Sequence, residues 1–283
     1  MPVEARAYRR PLPSPEWLSK LSEEIIEPDL PIVDPHHHLW DHPGSRYLLD
    51  ELLADVGSGH NIVRTVFIQC GSGYRMSGPE EMRPVGESEF VRAIAEKGDR
   101  RGGKTRICAG IVSFADLRLA DVDRVLAAQI EAAGGRFRGI RQIAANDPAI
   151  IGASSYVPPP GLMDDPNFRR GLKRLPAHDL TFEAWIYHPQ IATLTEVARE
   201  CPEVKIVLKS FRRPARGRAL SARRGVPTMA RRHQGAVRLP ERVRQARRVG
   251  DDRQRLRFSP GVVAAVIGRD GCGVAALCRN LHR

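Results

Sequence analysis

The sequence predicts an α/β fold built on a parallel sheet, and three observations carry that prediction. Short runs rich in β-branched residues alternate with stretches of helical apolar spacing from residue 31 to residue 208, joined by brief connections, as in repeated βαβ units. No G-x-G-x-x-G follows the first strand, which counts against a doubly wound dinucleotide-binding sheet. Polar and titratable residues stand at the C-terminal ends of several strands, where barrel enzymes assemble their sites. Six strands are legible up to Leu208, so the expected fold is a (β/α)8 TIM barrel, incomplete after its sixth strand.

The elements follow in order. "PEWLSKLSEEIIE" (15–27) reads as a short helix with Pro15 near its start, inside an N-terminal extension, 1–30. "LPIVD" is a buried strand and "NIVRTVFIQC" (61–70) a second. "GESEFVRAIAEKG" (86–98) has helical spacing of Phe90, Val91, Ile94 and Ala95, with Gly98 as the expected stop. "RICAGIVSF" (106–114) is strand, and "LADVDRVLAAQIEAAGG" (119–135) an amphipathic helix closed by a glycine pair. "FRGIRQI" (137–143) is strand, followed by the Pro-rich loop "YVPPPGLMDDP" and a helix near 166–175. "LTFEAWIYH" (180–188) is strand, "PQIATLTEVARECP" a helix with Pro189 at its first position, and "VKIVL" (204–208) strand.

A chain of 283 residues can bury a sizeable core. It has no apolar run long enough for a bilayer and no signal-peptide-like start. Five cysteines (Cys70, Cys108, Cys201, Cys272, Cys278) lie scattered with no C-x-x-C pair, which argues against a thiolate zinc site and for free thiols in a cytoplasmic setting. The net charge of +12 is uneven: residues 209–283 hold 20 basic groups, 19 of them Arg, against four acids, which is +16. Residues 1–208 therefore hold the remaining 25 basic and 29 acidic groups, which is −4.

The richest cluster is "PIVDPHHHLW" (31–40). In an extended segment Asp34, His36 and His38 share one face and His37 takes the other. Two imidazoles spaced H-x-H at a barrel mouth can bind one divalent ion, and neutral imidazole suits zinc, manganese or iron. A plainer reading makes one histidine a satisfied core residue and the others solvated loop; the position straight after the first strand favours ligands. His188 ends "FEAWIYH" in register with Phe182, Ala184 and Ile186 and is a candidate third ligand. Arg141 can point into the mouth and hold a carboxylate or lactone oxygen through its planar fork, or else form an ordinary surface ion pair. Gln69, Tyr74 and Arg75 in "FIQCGSGYR" are further substrate-binding candidates. Asp164 and Asp165 read as an acidic pair at a helix start.

"VDPHHHLWD", "YRMSGPEEMRPVGESEFV", "FRGIRQ" and "FEAWIYHPQ" together resemble the amidohydrolase-related TIM-barrel metal hydrolases, in the branch that contains sugar lactonases and 2-pyrone-4,6-dicarboxylate lactonases. The resemblance covers about residues 30–208. It implies a small-molecule substrate, a divalent metal (zinc or manganese, although some lactonases of this branch work without a tightly held one), His36 and His38 as first-strand ligands, and His188 as the fifth-strand histidine. It further implies a sixth-strand histidine within a segment of the type N-H-F-G-G-P, and a general-base aspartate at the end of the eighth strand.

This chain departs from that pattern after "KIVL", where it reads "KSFRRPARG" with Ser210 in the histidine's place. An arginine-rich, acid-poor stretch that begins abruptly inside a fold is what a GC-rich gene yields out of frame. The codons AAA TCA TTT CGG CGG CCC, permitted for Lys209 to Pro214, become AAT CAT TTC GGC GGC CC when read one base downstream, which encodes Asn-His-Phe-Gly-Gly-Pro. The same offset permits family-like sequence at 240–258 and 278–283. Residues 209–283 thus read as a frameshifted tail, expected to be disordered or irregular and not to replace the missing strands; it also lacks the eighth-strand base, so the hydrolase is expected to be impaired or inactive. The alternatives are a genuine basic arm that binds nucleic acid, disfavoured by the absence of interleaved aromatic residues, and a remnant without function.

Overall fold

The computed structural model describes residue 16, residues 19–20, 23–146, 158–211 and 264–267, with the side chains of 210–211 and 264–267 left aside. Part of the expected first helix, part of the Pro-rich loop, Cys272, Cys278 and nearly all of the tail lie outside these residues.

One sheet organises the described chain. Its parallel strands are β1 (Ile32–His37), β4 (Ile62–Ile68), β5 (Arg106–Ser113), β6 (Phe137–Ile140), β7 (Thr181–Tyr187) and β8 (Lys205–Phe211). They lie in the order β1-β4-β5-β6-β7-β8, each beside its predecessor in the chain. A doubly wound sheet reverses its order at a switch point, whereas a (β/α)8 barrel adds strands in one direction. Six parallel strands without a reversal are the arrangement of an incomplete barrel. The helices α2 (Val85–Arg101), α3 (Val122–Ala132), α4 (Pro166–Leu172) and α5 (Ile191–Glu200) form the intervening crossovers.

A short hairpin of β2 (Trp40–His42) and β3 (Ser45–Tyr47), then helix α1 (Leu49–Val56), fill the first crossover. The sequence pattern had not marked them. Trp40 and Tyr47 stack across the hairpin with centroids 5.4 Å apart, and the Trp40 indole N–H donates to the Ser45 hydroxyl at 3.0 Å, contacts that help hold three-residue strands together. Among the described residues no helix is long and apolar enough to cross a membrane.

The core lies between the sheet and its helices. Phe182, Ala184 and Ile186 of β7 are fully buried on that side, where Phe182 meets Phe168 of α4 edge-on at 5.6 Å. Burying side chains of this size contributes roughly 1.5–3 kcal/mol each.

Several boundaries differ from expectation. Residues 23–27 are not helical, and Ile26 is 86% exposed; a few residues with no buried face do not sustain a helix. Helix α2 runs through Gly98 to Arg101 and ends at Gly102, whose φ of 69° lies in the left-handed region. Gly98 is there for packing instead: a Cβ would sit 3.3 Å from the Ile107 Cβ of β5, so the missing side chain lets helix and strand approach. Strand β7 stops at Tyr187, and His188 opens a 3-10 turn through Gln190, because Pro189 has no N–H to continue a ladder. The expectation of a disordered or irregular tail is corrected at two places: β8 runs on to Phe211, and β9 (Ala264–Ile267) pairs antiparallel with β8. This apolar run covers the edge that β8 would otherwise leave unpaired.

Candidate functional site

The C-terminal end of β1 is bent by a register irregularity between Asp34 and His37, where the Asp34 carboxylate accepts the His36 N–H at 3.1 Å. Such irregularities re-aim side chains. Here the result is that His36 and His38 converge, with their Nε2 atoms 3.2 Å apart and the rings at 88°. His37 turns the opposite way and is buried, its Nε2 2.9 Å from the Thr65 hydroxyl of β4.

The tautomer of His38 follows from its partner. Its Nδ1 donates to the Ile68 carbonyl at 2.7 Å, so the proton sits on Nδ1 and the Nε2 lone pair faces His36. Two ligands held at about 2.0–2.1 Å from a tetrahedral ion stand roughly 3.3–3.4 Å apart, close to the spacing seen here. Burial drives both imidazoles toward the neutral, metal-competent form. It pulls His38 down to about 3, with the Arg141 charge adding to the effect, and it lowers His36 further, assisted by Lys209.

That lowering sets a pH dependence. Below 6.5 the unfolded chain binds a proton on His38 that the folded chain refuses until about pH 3, so stability falls as pH falls through that window. The expected result is a melting temperature that drops from pH 7 to pH 4 less steeply in His38→Gln than in the unaltered chain. Parallel curves for the two chains would show that His38 does not carry the effect.

The other candidates divide. Arg141 follows β6 directly, its N–H held by the Ser113 carbonyl at 2.8 Å, and it is only 3% exposed. Its guanidinium reaches Gln69, donating from Nε to Oε1 at 3.3 Å and from a terminal nitrogen to the backbone carbonyl. Gln69 in turn donates to the Tyr74 hydroxyl at 3.4 Å. Arg141, Gln69 and Tyr74 therefore form one connected group beside the histidine pair. Arg75 does not join them: its side chain is 40% exposed and pairs with Glu89 on α2. Asp165 caps α4 by accepting the Asn167 N–H at 2.8 Å, and Asp164 pairs with Arg169.

His188 opens the 3-10 turn after β7 and so falls outside the strand register that alternation gave it with Phe182, Ala184 and Ile186, and those three pack against the helices. The mouth side of β7 carries Glu183 and Trp185 instead. Among the described residues no three His, Cys, Asp or Glu side chains are grouped so as to hold one ion.

Two mouth residues were not marked by the sequence pattern. Glu183 is 5% exposed; its Oε1 lies 3.7 Å from His36 Nδ1 and 3.7 Å from a terminal nitrogen of Arg141, and that oxygen has no hydrogen-bond partner. These contacts are ion-pair distances, too long for hydrogen bonds. Burial pushes its carboxyl up, while Arg141 and Lys209 oppose that. Lys209 of β8 places Nζ 2.6 Å from His36 Nε2 and 3.1 Å from its Nδ1. Arg141 and Lys209 both approach the Trp185 ring, at 5.0 and 5.9 Å from its centroid. Burial and the nearby Arg141 charge bring Lys209 down to about 8, so it is mostly protonated at neutral pH. With two nitrogen donors, no third grouped ligand and an ammonium at the corner, the described residues do not fit a complete divalent-metal centre.

Behind the site Glu87, in the first turn of α2, clasps the loop that follows β4. Its Oε1 accepts the N–H groups of Cys70, Gly71 and Ser72 at 3.0, 2.7 and 3.0 Å, and its Oε2 accepts the Ser113 hydroxyl at 3.2 Å. Burial pushes this carboxyl up and the four hydrogen bonds pull it back. The clasp fixes the loop whose first residue, Gln69, holds Arg141.

The chain matches no family profile. It is 30% identical over 202 residues to the uncharacterised protein y4mH of Sinorhizobium fredii, covering 64% of this chain and 62% of that one. It is 28% identical over 152 residues to the L-fucono-1,5-lactonase of Burkholderia ambifaria, covering 50% and 48%. Among solved structures, a zinc-bound amidohydrolase from Burkholderia multivorans aligns with a TM-score of 0.45 and 19% identity, over 62% of this chain and 56% of that one. The chain thus spans between about half and two thirds of the length of these relatives. Its strand-end motifs and its likeness to the lactonase agree, and the chain resembles the lactonase-containing branch of the amidohydrolase-related hydrolases.

Proposed function

We propose that residues 31–208 are the first six βα units of a hydrolase in which water attacks a lactone or a related C–O or C–N bond of a small molecule, and that this chain is impaired in that reaction. The observation that carries the reading is the convergence of the His36 and His38 Nε2 atoms, 3.2 Å apart, beside the buried Arg141 group.

Ester hydrolysis needs an activated water, a group to stabilise the developing oxyanion, and a base to accept a proton. Arg141 suits the second task. It cannot lose its charge, and its fork is fixed by two bonds to Gln69 before any substrate arrives. Tyr74 can orient a polar group on the ring through the same network. In an intact site His36 and His38, with His188 as third ligand, would hold a divalent ion, by donor type zinc or manganese. The set present here is incomplete, so no step is routed through such an ion. No base is assigned, because residues 209–283 contain no family motif as written and so lack the eighth-strand aspartate that the resemblance implies; Ser210 likewise stands where it implies the sixth-strand histidine. The division at residue 209, with a tail read out of frame, belongs to the same proposal.

The test is lactone hydrolysis by a chain whose frame is restored from codon 209. Chelator-sensitive turnover that disappears in His36→Ala is the expected result. A folded, restored chain that hydrolyses no lactone or amide would sink the reading.

A further inference from the structure

We propose that Lys209 is a built-in occupant of the His36–His38 corner, so that the chain's own ammonium fills the place a divalent cation would take. The inference rests on the reading of His36 and His38 as a metal pair.

The geometry comes from both sides of the corner. His38 keeps its proton on Nδ1 against the Ile68 carbonyl, so its Nε2 is an acceptor. His36 accepts from Lys209 Nζ at 2.6 Å through its own Nε2. Two acceptor nitrogens 3.2 Å apart repel each other unless a positive charge lies beside them. Lys209 supplies that charge, and its residue is 7% exposed, so water is largely excluded from the contact. The surroundings suit a cation. Glu183 lies 3.7 Å from the same imidazole with its Oε1 free of hydrogen bonds, and the Trp185 face is 5.9 Å from Nζ. Arg141 adds a second fixed positive charge on that ring, so an incoming divalent ion meets two cations against one carboxylate.

Lys209 is also the first residue of the stretch that reads out of frame, where the shifted frame permits an uncharged Asn. The base change that replaces the sixth-strand histidine by Ser210 would therefore also install the competing charge.

The experiment titrates the full-length chain with Co2+, followed by its visible absorption, and with Zn2+ by calorimetry. The unaltered chain is compared with Lys209→Met, Lys209→Gln, the surface control Lys205→Met, and Lys209→Met combined with His36→Ala. Emptying the corner is expected to tighten the apparent Kd at least about tenfold, because a corner free in a tenth or fewer of the molecules becomes free in all. Lys205→Met should match the unaltered chain, and adding His36→Ala should abolish the gain. Equal affinities with and without Lys209, lost on His36→Ala, overturn the plug but leave the metal pair standing. No binding by any chain overturns both readings. Binding that survives His36→Ala places the ion elsewhere and overturns the plug. Should neither Lys209 variant fold, acetylation of the unaltered chain decides: Zn2+ should raise labelling of Lys209 relative to Lys205, and no change overturns the proposal.

Discussion

Restoring the frame at codon 209 is expected to raise lactone hydrolysis at least about a thousandfold over the chain as written. The restored chain regains a histidine at position 210 and loses the ammonium at 209 in the same edit. General acid–base catalysis alone contributes roughly 10²–10⁴-fold, and the activation of water by a complete metal centre adds to it. The chain as written keeps Arg141 and its partners, which can bind and polarise a carbonyl, but its His36 is held by Lys209 and it lacks the eighth-strand base that the resemblance implies. Its rate should therefore not exceed background, with or without added Zn2+. Initial rates across a panel of sugar lactones, measured for both chains at equal folded concentration, check this. Robust turnover by the unrestored chain would refute the account of its impairment.

Glu87→Ala is expected to destabilise the folded unit by about 3–5 kcal/mol, since three backbone N–H groups and a hydroxyl lose one buried acceptor together. Glu87 and Ser113 are both fully buried, and water has little access to replace the lost bonds. Glu87→Gln keeps an acceptor oxygen but not the charge, and should cost about half as much. Urea denaturation followed by circular dichroism measures both. A change below about 0.5 kcal/mol in Glu87→Ala would show that the loop after β4 does not depend on the clasp. Because Gln69 begins that loop, the Ala variant should also loosen Arg141.

What the sequence made legible, and what it hid, divides along physical lines. The six parallel strands were readable because strands buried on both faces are short, mostly apolar runs rich in β-branched residues, such as "NIVRTVF" and "RICAGIV". The histidine pair was readable because period-2 alternation needs no knowledge of the sheet. Which face of β7 looks into the mouth was not readable. In "FEAWIYH" the apolar set Phe182, Ala184 and Ile186 invites an inward assignment, yet in a barrel wrapped by helices that set packs under the helices. The mouth receives Glu183 and Trp185 instead. His188 is placed by the 3-10 turn in which Pro189 sits, not by the strand alternation that the sequence suggested. Lys209 escaped notice for another reason: its role depends on β8 continuing to Phe211, beyond the apolar run that ends at Leu208. The hairpin β2–β3 and helix α1 were hidden because eight residues give too short a window for any period to register. Gly98 misled because glycine marks a helix end and a close helix–strand approach with the same letter.

The determination that bears most directly on this account is the nucleotide sequence around codon 209. The DNA, read one base downstream from that codon, is expected to encode Asn-His-Phe-Gly-Gly-Pro and to continue as an open frame. A shifted frame that encodes anything else there would contradict the frame change, and with it the origin assigned here to Ser210 and to the ammonium at the histidine corner.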